Sequence, residues 1–392
     1  MAISEHAIVS GSYSTQSITS NTNVRDVSQL LDLWAHKWTP MLNRVKWASE
    51  SGGLVVEWVS EHLGWGYVNN SATIASAATT FTVTSGLAGL TAAETVKQLQ
   101  DGTMLYAKKD SGSAAFWVVV SVASSYTVTF TALAGSSGSM TAESNIYVIG
   151  HFANEGSDPF PDISRKRTLL SNKFAILRKD IKITGSQAAT DMYAVSNETS
   201  HQMTLRLLEM QREREWSMLY STAQARTSTA ASYIYGAYGF LNAVSSQDWV
   251  NTSTTSLTED GLNDMVADVW DNGGGGPLVL AGNKAQIRKF TQWDQDRVRT
   301  TPDAKLGGHY VTRYMTDVGI EVELVPMRKT PVNILFLLDV GNLKLRPKKG
   351  RKLILEPLAK VGDYKRWQLL SEYTLEMRGY DKGYHAMWTA LT

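Results

Sequence analysis

The sequence predicts an α+β fold, with helices and strands in mixed order, and three observations carry that reading. Residues 201–222, HQMTLRLLEMQREREWSMLYST, hold no Gly or Pro and are dense in Leu, Met, Glu, Gln and Arg, which makes them the most strongly helical stretch in the chain. Residues 69–150 shift abruptly to Ala, Ser, Thr, Gly and Val in short alternating runs, the period of β-strands. Residues 257–293 then read helix, glycine turn, strand, loop, helix, and apolar strand runs such as NILFLLDV follow.

Composition sets the bounds. The 392 residues suffice for two or three packed units, and 43% apolar with 19% charged residues describes a folded chain. Twelve Trp and sixteen Tyr point to contact surfaces or, equally, to a Trp-rich core. Lys plus Arg (38) nearly balances Asp plus Glu (37). A charge of +1 argues against a dedicated nucleic-acid binder and leaves room for a protein that encloses nucleic acid. The absence of Cys excludes disulfides, thiolate metal sites and Cys nucleophiles, and fits a reducing cytoplasm. No run of about 18 apolar residues occurs, so no membrane span is expected. The first residues lack the basic start and apolar block of a signal peptide. Their Ser, Thr and Asn suggest an extended arm that orders only against something else.

Taken in order, residues 27–48 contain a helix pattern ended by Thr39-Pro40, since the residue before proline avoids helical geometry. Residues 54–59 carry a β-branched, aromatic strand signal. Residues 69–150 read as an inserted all-β module of about five strands, with VVV at 118–120 buried on both faces. A strand before this insert and another after it, FAILRKDIKIT, would pair as a long ribbon that is marginal alone and needs cover from outside. The long helix is expected over about 191–222, on the order of 45 Å at 1.5 Å per residue. Its stripe would be Leu205, Leu208, Trp216 and Leu219, with Glu209–Arg212 and Arg212–Glu215 pairs on its polar face. Thr258 is a plausible N-cap and Gly273–Gly276 a helix stop.

No catalytic constellation emerges. NGGGGP at 272–277 follows a helix and lacks the Lys-Ser/Thr of a phosphate loop, so it reads as a turn. The seven histidines share no short metal spacing. Glu155, Asp158 and Asp162 lack the acid ladder of a calcium loop and read as a solvated acidic loop. Arg165, Lys166 and Arg167 form a positive patch suited to an acidic patch on a neighbour, or simply to water. No cofactor is expected. A chain of this size with no site, many aromatics and a protruding ribbon acts by assembling.

The ordered series of pieces TPMLNRVKWA…VVEWVSEHL, EGSDPFPDISRKRT, RKDIKITGSQAA, LTEDGLNDMVADVWDNGGGGPLVLAGNKAQI, DVGIEVELVPMR and LEPLAKVGDYKRWQLLSEYTLEM resembles major capsid proteins of tailed bacteriophages, of the Hong Kong 97-type fold, in the subgroup with a β-rich insertion. The resemblance implies an N-terminal arm (1–30), the start of a peripheral domain (31–50) and an extended loop (51–68 and 151–185). An inserted β domain (69–150), a peripheral domain with the spine helix (186–254), an axial domain (255–340) and C-terminal peripheral strands (341–392) complete it. It further implies inter-subunit contacts through Asp158, Asp162, Arg165, Lys166, Arg167, Arg212 and Glu213. The implied function is a major capsid protein that builds an icosahedral or prolate shell around double-stranded DNA. Its partners would be itself, as hexamers and pentamers, a separate scaffolding protein, and portal and decoration proteins. Its place would be the virion, after assembly in the bacterial host cytoplasm. Some relatives form a Lys–Asn crosslink; Lys166 and Lys173 have no assignable Asn and Glu, so none is expected. The rival readings are a tail-tube or decoration protein, a glycan-binding surface adhesin, and, least, an enzyme.

Overall fold

The computed structural model describes residues 39–61, 66–84, 92–123, 126–134, 139–142, 144–153, 155–156, 167–190, 197–222, 236–244, 250–251, 256–293 and 312–392. A first sheet of five strands is organised on the long strand Tyr364–Met377. One edge of this strand pairs antiparallel with Ala175–Thr184 along the whole length of that strand. The other edge takes Leu343–Pro347 and then Ile354–Leu358, and Lys46–Trp47 adds parallel to Leu343–Pro347. Alternation sorts the residues: Ala175, Leu345, Tyr373, Leu375 and Met377 turn inward, while Arg178, Asp180 and Lys182 turn to water.

The second sheet runs Val250–Asn251, Ala386–Trp388, Leu335–Asp339, Leu278–Asn283, Glu321–Met327, Arg313–Met315. Its central strands are apolar without alternation because both faces are covered. Leu278, Leu280, Leu335 and Leu337 face the helices Glu259–Asp271 and Lys284–Trp293, packing with Leu262, Val266 and Phe290. Val279, Ala281, Phe336 and Leu338 face the opposite way, into a core shared with the first sheet and with Met218 and Leu219. The C-terminal strand Ala386–Trp388 therefore joins the second sheet, although residues 341–377 serve the first.

The long helix is Glu198–Tyr220, about 35 Å at 1.5 Å per residue, capped by Asn197, whose side chain accepts from Ser200 N at 3.1 Å. Residues 191–196 of the expected helix lie outside the described residues. The buried stripe is Met210, Arg214, Glu215, Met218 and Leu219; of the stripe drawn from the sequence Leu219 belongs to it, while Leu205, Leu208 and Trp216 are half-buried. The difference is physical: two charged residues point inward because partners wait there, a feature that apolar spacing does not register. The ion pairs differ accordingly, Arg206 bonding both Glu209 oxygens at 2.7 Å and Lys179 pairing with Glu213. Thr39-Pro40 opens a helix, Pro40–Arg44, with proline at its first turn where the missing N–H costs nothing. The helix expected before Thr39 lies outside the described residues.

Residues 67–151 hold a six-stranded antiparallel sheet, in the order Tyr67–Asn69, Asn145–His151, Thr103–Lys108, Ala114–Val122, Thr127–Ala134, Thr80–Thr82, with a short helix Ala92–Val96. Its core of Phe81, Leu105, Trp117, Phe130 and Ile146 is a cluster of its own, with the Trp117 and Phe130 rings stacked at 4.1 Å. Val120 is half-exposed instead of buried on both faces, because the register slips between Val119 and Ser121 and leaves it as a bulge. A two-stranded ribbon, Val55–Ser60 with Thr168–Lys173, is shorter than the sequence suggests, since FAILRKDIKIT is absorbed by the first sheet from Ala175 on. Gly273 and Gly274 end the helix Glu259–Asp271 in a Schellman turn, Gly274 N bonding Val269 O and Gly273 N bonding Trp270 O, both at 2.9 Å.

Because the core of residues 67–151 is separate, Trp117→Ala should destabilise it by about 3–5 kcal/mol while leaving the two sheets intact. Hydrogen exchange should show faster exchange across 103–134 and unchanged protection in Glu198–Tyr220.

Candidate functional site

Surfaces left incomplete by the subunit are the candidate site, and the ribbon is the first of them. Val56 and Trp58 are buried against Phe174 and Tyr380, with the Trp58 and Tyr380 rings edge-on at 6.5 Å. Ser60 Oγ donates to Asp381 at 3.0 Å. Among the described residues the opposite side has no such cover: Val59 and Leu169 stand directly opposite each other and each is 60% exposed. Leu54, at the ribbon's start, is more exposed still. A two-stranded ribbon with a dry side and an apolar wet side lacks a partner.

The ribbon ends in the pair Arg167–Glu61, 3.0 Å long and largely exposed. Of the other residues singled out in the sequence, Asp158, Asp162, Arg165 and Lys166 lie outside the described residues. Arg212 is half-buried on the long helix, and Glu213 is engaged within the chain by Lys179.

Sequence reasoning missed three groups: the charged residues buried on the long helix, the buried His385, and one face of the first sheet. Glu215, on the long helix, accepts from Met41 N at 2.9 Å and Leu42 N at 3.0 Å, so a buried carboxylate holds the first turn of Pro40–Arg44. Burial pushes this carboxyl above its usual range against those two N–H bonds. Arg44 then bridges to Glu323, tying the same helix to the second sheet. Arg214 lies buried between the rings of Trp47 and Tyr373, at 5.1 and 5.3 Å, and donates to Ser371 Oγ at 2.8 Å. His385 has no exposed surface; its Nδ1 accepts from Asp339 N and its Nε2–H donates to Arg378 O, each at 3.1 Å. Burial holds it neutral, with its pKa lowered to about 4. The third group is the outward side of the first sheet, where KLRPKKGRK at 344–352 begins with cations on alternate positions, Lys344, Arg346 and Lys348; that run without an acid is the signal that could have found it.

Among the described residues no helix is long and apolar enough to cross a membrane, and no cluster of His, Asp and Glu could hold a metal ion. The architecture is that of Hong Kong 97-type phage capsid proteins. The capsid asymmetric unit of cyanophage A-1(L) superposes with a TM-score of 0.52 at 14% identity, over 96% of this chain and 99% of that one. A structure of Microbacterium phage Oxtober96 aligns over 97% of this chain and 99% of that one, at 11% identity and a TM-score of 0.49. No curated protein matches the sequence. The model of the SU10 major capsid protein family matches residues 12–392, and the chain belongs to that family. Its role is that of a major capsid protein, a structural subunit of the virion.

Two measurements check the buried groups. Glu215→Ala should cost about 2–3 kcal/mol by leaving buried N–H groups unpaired, and should speed hydrogen exchange at residues 41–45. Glu215→Gln, which keeps an acceptor, should recover part of that loss. The depressed pKa of His385 means that the unfolded chain takes up its proton first as pH falls. Stability from this group is therefore complete above about pH 6.5 and lost towards about pH 4, by about 3 kcal/mol. Urea melts of dispersed subunits at pH 7 and 4.5 should show this drop, and His385→Gln should flatten it.

Proposed function

We propose that many copies of this chain close, as hexamers and pentamers, into an icosahedral or prolate shell around double-stranded DNA, with no catalytic step of its own. The observation that carries the reading is the ribbon Val55–Ser60/Thr168–Lys173, whose apolar pair Val59–Leu169 faces water in the isolated subunit. A neighbouring subunit supplies the missing cover. Interfaces of about 1,200–2,000 Å² are ordinary for stable complexes, and a shell subunit shares several, so modest contacts close the particle together.

In this reading residues 1–30 form the N-terminal arm, and 51–68 with 151–185 the extended loop. Residues 69–150 form a domain inserted in that loop and displayed outside. The helix Glu198–Tyr220 is the spine of the peripheral domain and residues 255–340 are the axial domain. Asp158, Asp162, Arg165, Lys166 and Arg167 meet the neighbour beside the ribbon, and Arg212 and Glu213 meet it along the spine. Assembly takes place in the bacterial host cytoplasm with a separate scaffolding protein, and portal and decoration proteins complete the virion.

The test replaces both exposed residues by a cross-strand pair of opposite charge, Val59→Lys with Leu169→Glu, and expresses the chain with the neighbouring genes of its source. The wild type should give closed shells by electron microscopy. The variant should remain folded, with stability changed by less than about 0.5 kcal/mol, and lose at least tenfold in particle yield. Normal shells from the variant, or a wild type that stays monomeric under every condition, would overturn the reading.

A further inference from the structure

Strand alternation turns Lys344, Arg346, Arg178, Lys182 and Arg366 to the side of the first sheet away from the long helix. On this side two like-charged pairs stand directly opposite across the ladders, Lys46 against Lys344 and Lys182 against Arg366. Like charges in that position are destabilising, and an anion from outside would relieve them. Two carboxylates on the same face are each shared by two arginines. Glu376, fully buried, takes Arg346 and, at 2.7 Å, Arg378. Asp180 takes Arg178 at 3.6 Å and Arg366 at 3.1 Å. Each triad keeps a net positive charge and holds two guanidiniums in place, with donors left over for a further acceptor. Of the remaining acids on this face, Glu372 is paired with Arg351 at 2.7 Å, and Glu356 is exposed and level with Asp180, across Gln368 from it.

Spacing selects the partner. Lys344 is in register with Glu376, and Lys182 with Arg366, so the like-charged pairs lie ten residues apart along Tyr364–Met377. At about 3.3 Å per residue this is about 33 Å, close to the 34–36 Å of one turn of B-form DNA. A duplex lying along the long strand would bring phosphates of successive turns to both pairs. We infer that the outward face of the first sheet binds the phosphate backbone of double-stranded DNA, without reading its sequence. This rests on the shell reading for one point only, that the DNA is the packaged genome and the face lines the interior.

The test combines Lys46→Gln, Lys344→Gln and Lys182→Gln in the full chain. Dispersed subunits are titrated with a labelled mixed-sequence duplex of about three helical turns between about 50 and 200 mM salt. The variant should bind at least tenfold more weakly at the lowest salt, and its slope of log affinity against log salt should be shallower by about three, near 0.9 per lost phosphate contact. Unchanged affinity and slope would overturn the inference. Because the chain has no Cys, Lys344→Cys places a single thiol on this face. In DNA-filled particles a maleimide on a bulky polymer should fail to label it until the shell is opened. Labelling of intact particles would put the face outside, opposite an acidic protein neighbour, and sink the inference. Absence of particles from the wild type would count against the shell reading, while the duplex titration would still decide this one.

Discussion

The central strands of the second sheet, Leu278–Asn283 and Leu335–Asp339, have no solvent face, and the arrangement of the subunit follows from that constraint. Alternate residues of Leu278–Asn283 and Leu335–Asp339 enter two different cores, so each side of the sheet needs its own cover. One side is closed by the helices Glu259–Asp271 and Lys284–Trp293. The other is closed jointly by the long helix, the segment Phe240–Val244 and the inner side of the first sheet. The two sheets therefore cannot part without uncovering apolar surface at about 25 cal/mol per Å². His385 sits in this seam, neutral and without access to water, bonded to backbone groups of Asp339 and Arg378.

Against that interior, the uncovered parts are easier to interpret. A ribbon with one dry side and one wet apolar side, and a sheet face carrying opposed cations, are arrangements a free monomer has little reason to keep. Both are tolerable when their complement arrives from another molecule. Free energy left unrealised in the monomer becomes driving force for association, which is how a subunit can be folded and still be poised to assemble.

Much of the architecture was legible in the sequence because its signals are local. Gly273–Gly276 as a helix stop, the unbroken apolar run at 334–338 and the alternating runs of 103–134 all depend on near neighbours in the chain. What escaped depends on distant ones. That Glu215 would turn inward is decided by Met41 and Leu42, and that Arg214 would be buried is decided by Trp47 and Tyr373. The ribbon's length was overestimated because FAILRKDIKIT suits either a free ribbon or a sheet; the ladder with Tyr364–Met377 decides between them. The capsid family was readable from the order of its segments, whereas which residues meet a neighbouring subunit is a matter of quaternary geometry.

The separate core of residues 67–151 bears on how such a protein changes over time. Among the described residues, no buried side chain of the cluster of Phe81, Trp117 and Phe130 is shared with the cores of the first and second sheets. Substitutions there are not coupled to those that keep the shell-forming sheets packed, since distant sites without shared partners behave additively. The module can diverge, or be exchanged for another of similar end-to-end span, while the container remains under its own selection. A region with its own core is thus free to vary without disturbing the packing of the two sheets.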